Sequence, residues 1–168
     1  MSADLDDVTL DDWTLIFVRE LRQAPAVVWA ALTSPDELDQ WAPFTAARDL
    51  GTTGDTVLTM VDGPDRTDMA ASVLRAEAPA LLEYTWGDDR LRWELEPSGD
   101  GTRLTLRHTL AKPDLDAMVA AGWHLCLDVL RHLLDGRPIG VIRGRDALEH
   151  GWEELRDGYA AKLGGGAR

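Results

Sequence analysis

The chain has 168 residues, the length of one domain. Its net charge of −13 repels phosphate backbones, so nucleic acid is not an expected partner. The single cysteine, Cys126, permits no intramolecular disulfide, which fits a reducing, cytoplasmic compartment. No segment approaches the roughly 18 uninterrupted apolar residues of a membrane span.

The N-terminal quarter predicts a tail, a strand and two short helices. Residues 1–11 are acidic, unlike a secretory signal, and are expected to form a flexible tail. Residues 13–22 are rich in β-branched and aromatic side chains and predict a strand. Residues 25–33 predict an amphipathic helix with proline in its first turn. A second helix over 34–41 has Ser34 as its expected N-cap.

From Phe44 to Ala111 the chain consists of short runs separated by turn signals. Such spacing is typical of antiparallel hairpins, because parallel crossovers need a dozen or more residues. The expected strands lie near 44–50, 55–61, 68–77, 81–87, 90–96 and 102–111.

Alternation gives these strands one wet face and one dry face. Leu91, Trp93 and Leu95 alternate with charged residues, which predicts that they point inward. In the last strand His108 falls on the dry face among three leucines. A histidine there is either a hydrogen-bonded core residue, a polar anchor in a pocket, or an acid or base with a titration range near neutral pH.

A long helix is predicted over 115–135, where the hydrophobic period changes to that of a helix. At about 20 residues it spans ~30 Å, enough to cross the dry face of the sheet. His124 is expected on its solvent side, and Gly136 is expected to end it. The apolar stripe consists of Val119, Trp123, Cys126, Leu127, Leu130, Leu133 and Leu134.

A closing helix is predicted over 147–163, followed by a flexible tail at 164–168. Its N-terminal capping pattern is Asp146 with Glu149. Its apolar stripe, expected to dock on the domain or on a second copy, consists of Leu148, Trp152, Leu155, Tyr159 and Leu163. The fold class is therefore α+β, a single domain over 12–163.

Three stretches of the chain resemble a known family. They are the helix pair APAVVWAALTSPDELDQW at 24–41, the segment GWHLCLDVLRHLLDG at 122–136, and the closing helix with Trp152 and Tyr159. Together they resemble the SRPBCC superfamily, also called START-like or birch-pollen-allergen-like. The most similar branch is named after the activator of the Hsp90 ATPase. The resemblance implies a helix-grip fold, in which a curved antiparallel sheet of six to seven strands grips a long C-terminal helix.

Large apolar side chains on the inward faces define the candidate site. Rigid tryptophans and adaptable methionines are typical of apolar pockets, although the same residues also build packed cores. Trp13 and Trp29 are expected in the core alone. The candidate ligand-binding residues are Trp41, Met60, Met69, Trp86, Trp93, His108, Trp123 and Leu127.

Convergent catalytic groups are not evident in the sequence. His124 and His132 are two helical turns apart, too far to share a metal ion unaided. No nucleophile elbow surrounds any of the serines, and no glycine-rich phosphate loop is present. We therefore expect no metal, no cofactor and no catalytic residue.

The sequence favours a carrier or sensor of a small hydrophobic molecule over an enzyme. Two alternatives stay open. The first is an enzyme acting on such a molecule, since some superfamily members are cyclases or hydratases. The second is a protein-interaction module with a role in stress response, whose partner is a chaperone or a second copy of the chain.

Overall fold

A single antiparallel sheet organises the computed structural model, which describes residues 7–11 and 13–164. The spatial order of its eight strands is β1-β2-β8-β7-β6-β5-β4-β3, and every neighbouring pair is antiparallel. The strands are β1 (Asp7–Asp11), β2 (Thr14–Leu21), β3 (Phe44–Ala46), β4 (Gly54–Asp62), β5 (Asp65–Glu77), β6 (Leu81–Trp86), β7 (Asp89–Ser98) and β8 (Gly101–Thr109).

Four α-helices among the described residues complete the α+β fold. They are α1 (Pro25–Thr33), α2 (Pro35–Leu38), α3 (Asp116–Leu134) and α4 (Trp152–Gly164). Short 3₁₀ segments at Pro113–Leu115 and Gly144–His150 precede α3 and α4. The predicted helix-grip architecture is confirmed, since α3 buries its apolar face in the same core as the dry face of the sheet.

The sheet has one strand more than the six to seven predicted. Residues 7–11, assigned to a flexible tail, pair with β2 as β1. The aspartates interrupt the apolar alternation that identifies a strand in the sequence, but they do not prevent backbone pairing. The rest of the predicted tail, residues 1–6, lies outside the described residues, as do 165–168.

Two predicted helix caps are wrong. Ser34 precedes α2, but its side chain makes no capping hydrogen bond. Asp146 and Glu149 both lie inside a 3₁₀ segment, Gly144–His150. The helix α4 begins only after Gly151, whose φ of +79° interrupts the helical path. Leu148 therefore lies outside α4 and is 54% exposed. The rest of the stripe docks, since Leu155, Tyr159 and Leu163 are buried.

Gly136 ends α3 as predicted. Its φ is +75°, a left-handed conformation that glycine adopts without strain. The Gly136 N–H donates to the carbonyl of Leu133, and the Arg137 N–H donates to that of His132. These bonds satisfy carbonyls that the helix end would leave unpaired.

Buried Arg143 anchors the segment that follows α3. Its guanidinium donates to the carbonyl oxygens of Leu38 and Ala42 at 3.3 and 2.7 Å, and to the Asp39 carboxylate at 3.3 Å. It thereby caps the end of α2 and fixes the chain that leads into β3. Phe44, the first residue of β3, packs against Trp86 at one wall of the site.

Candidate functional site: an apolar pocket beside α3

A cavity of about 420 Å³ lies between the N-terminal half of α3 and the adjoining ends of several strands. Its volume falls within the ~300–1,000 Å³ typical of small-molecule sites. Exposed Asp88 and Lys112 lie at its rim. The lining consists of Pro43, Met60, Met69, Trp86, Asp88, Asp89, His108, Leu110, Ala111, Lys112, Leu115, Val119, Gly122 and Trp123.

Five of the eight predicted site residues line this cavity. They are Met60, Met69, Trp86, His108 and Trp123. The other three, Trp41, Trp93 and Leu127, are buried in the packed core and do not reach the cavity. Strand and helix periodicity identifies the face on which a side chain lies, but it does not give its distance from the cavity.

The two core tryptophans are held by hydrogen bonds as well as by packing. The Trp41 indole N–H donates to the carbonyl of Ala31 at 2.9 Å, and that of Trp93 donates to the Tyr84 hydroxyl at 3.1 Å. Burial raises the pKa of Tyr84 despite the opposing hydrogen bond from Trp93, so the phenol stays neutral.

A line of aromatic rings connects this core to the cavity. Trp93 lies edge-on between Trp41 and Trp123, with ring centroids 5.9 and 5.5 Å away. The ring centroids of Trp123 and Trp86 lie 6.0 Å apart, and the angle between the ring planes is 70°. These edge-to-face contacts are the favoured geometry for aromatic pairs and fix the rings that form the cavity wall.

His108 is 1% exposed and lies inward, as strand alternation predicts. The Trp123 indole N–H donates to His108 Nδ1 at 2.8 Å. An indole nitrogen only donates, so Nδ1 accepts and the proton of the neutral ring is on Nε2. That Nε2 lies 2.7 Å from Asp89 Oδ2 and donates to it. Both ring nitrogens of His108 are therefore engaged by protein groups.

Asp89 is the polar group that sequence reasoning missed. Its Oδ1 accepts the Ala111 backbone N–H at 2.9 Å, while Oδ2 accepts from His108. Burial alone would raise the pKa of Asp89. The two hydrogen bonds and the charge of Lys112 outweigh that effect and hold the pKa below its usual value. The cavity wall therefore carries a carboxylate at neutral pH.

The alternation in β7 contains the signal for Asp89. Continuing the inward series of Leu91, Trp93 and Leu95 by one step towards the N-terminus reaches this aspartate. The predicted strand began at residue 90, one residue too late to include it. The β6–β7 hairpin then places Asp89 directly opposite Trp86.

Gly122 provides open space in the wall that α3 contributes. Outside its own helix backbone and chain neighbours, no heavy atom lies within 4 Å of the position that a Cβ would occupy. The residue lines the cavity, and any larger side chain there would project into free volume. The sequence does not distinguish this glycine from one required by backbone conformation.

His124 contradicts the prediction that it faces solvent. It is buried because α4 covers this side of α3, and its Nδ1 lies 2.7 Å from the Tyr159 hydroxyl. Its Nε2 lies 3.5 Å from Asp128, which also binds Arg19 of β2 at 3.0 Å. This polar network ties β2, α3 and α4 together, away from the cavity.

Cys126 of α3 is buried in the hydrophobic core. Burial raises the pKa of its thiol to about 12, although the charge of Arg143 opposes this shift. The thiol is therefore inert at neutral pH.

Across residues 7–11 and 13–164, no group of three His, Cys, Asp or Glu side chains could hold a metal ion. None of the described helices is both long and apolar enough to cross a membrane.

Comparison with solved structures shows the same fold in several bacterial proteins. A conserved protein of unknown function from Enterococcus faecalis is 19% identical, with a TM-score of 0.70 over 99% of this chain and 95% of that one. CalU16 from Micromonospora echinospora is 21% identical, with a TM-score of 0.64 over 88% and 86%. The AHSA1 protein from Silicibacter pomeroyi is 22% identical, with a TM-score of 0.62 over 73% and 97%.

The sequence itself identifies the family. None of the curated proteins compared matches significantly. The family model described as Activator of Hsp90 ATPase homolog 1-like protein matches residues 22–135, more than half of the chain. That span covers the α1–α2 pair, strands β3 to β8 and the whole of α3. The chain therefore belongs to the Activator of Hsp90 ATPase homolog 1-like family.

Proposed function

We propose that the protein binds a small hydrophobic molecule in the cavity beside α3, as a carrier or sensor. The observation that supports this proposal is the cavity itself, about 420 Å³ of space walled by Trp86, Trp123, Met60 and Met69. A ligand that removes apolar walls of this kind from water lowers the free energy of the system. A free, buried Cys126 fits a reducing, cytoplasmic setting.

The enzyme alternative has less support. His108 is the lining residue best suited to acid–base chemistry, but its Nδ1 accepts from Trp123 and its Nε2 donates to Asp89. Neither nitrogen is left to exchange a proton with a ligand. The chaperone-partner alternative rests on family membership alone.

A titration with adamantylmethanol tests the proposal. This probe is a compact apolar cage without absorbance in the tryptophan range. Trp86 and Trp123 line the cavity, so binding should change the combined emission of the seven tryptophans. We expect a saturable change in tryptophan fluorescence. Absence of a saturable change with this and other apolar alcohols would contradict the proposal.

The variant Gly122→Leu tests whether the cavity is the binding site. Gly122 lines the cavity, and a Cβ added there meets no heavy atom of another element within 4 Å, so the leucine should fill the cavity and abolish binding while the protein stays folded. Arg131→Leu is the control, since it adds the same side chain at an exposed position of the same helix. Equal loss of binding in both variants would show that the cavity is not the binding site.

A further inference from the structure

The polar part of the cavity wall determines which head group a ligand can carry. His108 cannot supply it, because both of its ring nitrogens are engaged. The carboxylate of Asp89 can, since it lines the cavity and its side chain is 26% exposed. Each carboxylate oxygen has two acceptor sites, and each oxygen of Asp89 is seen to accept one protein hydrogen bond.

His108 and the Ala111 N–H act together as a clamp on Asp89. They hold the two oxygens from different sides at 2.7 and 2.9 Å, so the carboxylate is oriented before any ligand arrives. Trp123 fixes the tautomer of His108 and thereby the direction of the bond to Asp89. A preoriented acceptor loses little conformational entropy on binding and therefore favours a donor placed in the cavity.

The surroundings favour a positively charged donor. The rim residue Asp88 adds a second carboxylate, and Lys112 is the one cation among the lining residues. The net charge of −13 also attracts a cationic ligand over longer distances.

We propose that the cavity selects hydrophobic amines, whose apolar body fills the space between Trp86, Trp123 and the methionines and whose ammonium group binds the Asp89 carboxylate. This inference rests on the proposed function, because it names the head group of the same ligand. An apolar carboxylate bound through Lys112 is the competing assignment.

Three probes of one shape separate the head group from the apolar body. They are adamantylmethylamine, adamantylmethanol and adamantanecarboxylate, each titrated against the intact protein at pH 7 by tryptophan fluorescence. We expect the amine to bind at least about tenfold more tightly than the other two, because only its ammonium group adds charge attraction to the hydrogen bond with the carboxylate. Equal affinities would overturn the amine assignment and leave the apolar pocket standing. No binding by any of the three would instead reject the pocket function itself.

Variants at the two charged positions assign the preference. Asp89→Asn should remove the advantage of the amine while the affinity for the alcohol stays within about twofold. Asp100→Asn removes the same charge from the exposed β7–β8 turn and should leave the advantage intact. An amine advantage that survives Asp89→Asn would overturn the assignment.

Lys112→Met keeps the test decisive if Asp89→Asn does not fold. Lys112 is exposed, and its charge opposes an ammonium near Asp89. Its removal should tighten amine binding roughly two- to fivefold more than it changes alcohol binding. Tightest binding by the carboxylate in the unmodified protein, lost in Lys112→Met, would establish the competing assignment.

Discussion

Two faces of α3 lie under different cover. One face, in the N-terminal half of the helix, forms an apolar wall of the cavity with Val119, Gly122 and Trp123. The face covered by α4 is closed, so even the polar His124, which follows Trp123 in the chain, is buried. One amphipathic helix therefore supports both an open site and a closed core, and the element packed against each face decides which.

The two buried histidines sharpen this comparison. His108 bridges Trp123 and Asp89 at the cavity, while His124 bridges Tyr159 and Asp128 under α4. Both are held on two sides by neighbouring side chains. The first arrangement orients a carboxylate that a ligand can reach, and the second fastens one element of the fold to another.

Trp123→Ala should produce the largest loss of stability, about 3–5 kcal/mol, the usual cost of truncating a buried aromatic side chain. Trp123 is 2% exposed, and it also holds His108 in its tautomer. Unfolding in urea measures the change. Trp13 was predicted to lie in the core, but it is 47% exposed. The control variant Trp13→Ala should therefore cost under about 0.5 kcal/mol. Similar costs for the two variants would show that the cavity wall is not part of the cooperative core.

Tyr159→Phe tests the closed face of α3, which α4 covers. The change removes the hydroxyl that bonds His124, so the expected cost is about 0.5–1.5 kcal/mol, with no change in ligand affinity. Urea unfolding and the adamantylmethanol titration provide the two measurements. Weaker ligand binding at unchanged stability would contradict the separation of the two faces of α3.

Gly122→Ala should stabilise the protein by about 0.5–1 kcal/mol, because alanine restricts the unfolded chain and suits a helix better than glycine. The added methyl meets no atom of another element. Thermal unfolding checks the sign. A loss of stability would mean that the space beside Gly122 is occupied in solution.

Acid pH should produce the smallest effect. The pKa values of Asp89 and Glu94 are both lowered. In each case burial alone would raise the pKa, but the hydrogen bonds that the carboxylate accepts lower it by more. The hydrogen bonds to Glu94 come from Arg107 and Arg92. Because the folded-state pKa lies below the unfolded one, this stabilisation is complete above the unfolded pKa and is lost as pH falls through the folded one. Asp89→Asn should therefore flatten the decline of stability below about pH 4, and Asp100→Asn should not.

The sequence predicted most of the elements for physical reasons that the structure confirms. Alternation in β7 and β8 placed Trp93 and His108 inward, and the helical period placed Trp123 on the buried side of α3. These patterns are local, since they depend only on the spacing of side chains along one element.

Two kinds of error arise from contacts between elements, and a third arises at a strand boundary. His124 lies on the polar side of α3, and only the docking of α4 buries it. Trp41 and Trp93 share the inward orientation of Trp86 but sit deeper, a difference that requires the packed structure. Asp89 was not predicted as a site residue because the predicted strand began one residue after it, and strand boundaries are harder to assign from sequence than strand centres.

The central claim is that the cavity beside the N-terminal half of α3 binds apolar molecules, and methionine methyl NMR tests it most directly. Met60 and Met69 line the cavity, while Met118 lies on the exposed side of the same helix, 46% accessible. With labelled methionine methyl groups, adamantylmethanol should shift the Met60 and Met69 resonances saturably and leave that of Met118 in place. Unmoved Met60 and Met69 signals, or an equal shift at Met118, would contradict the account.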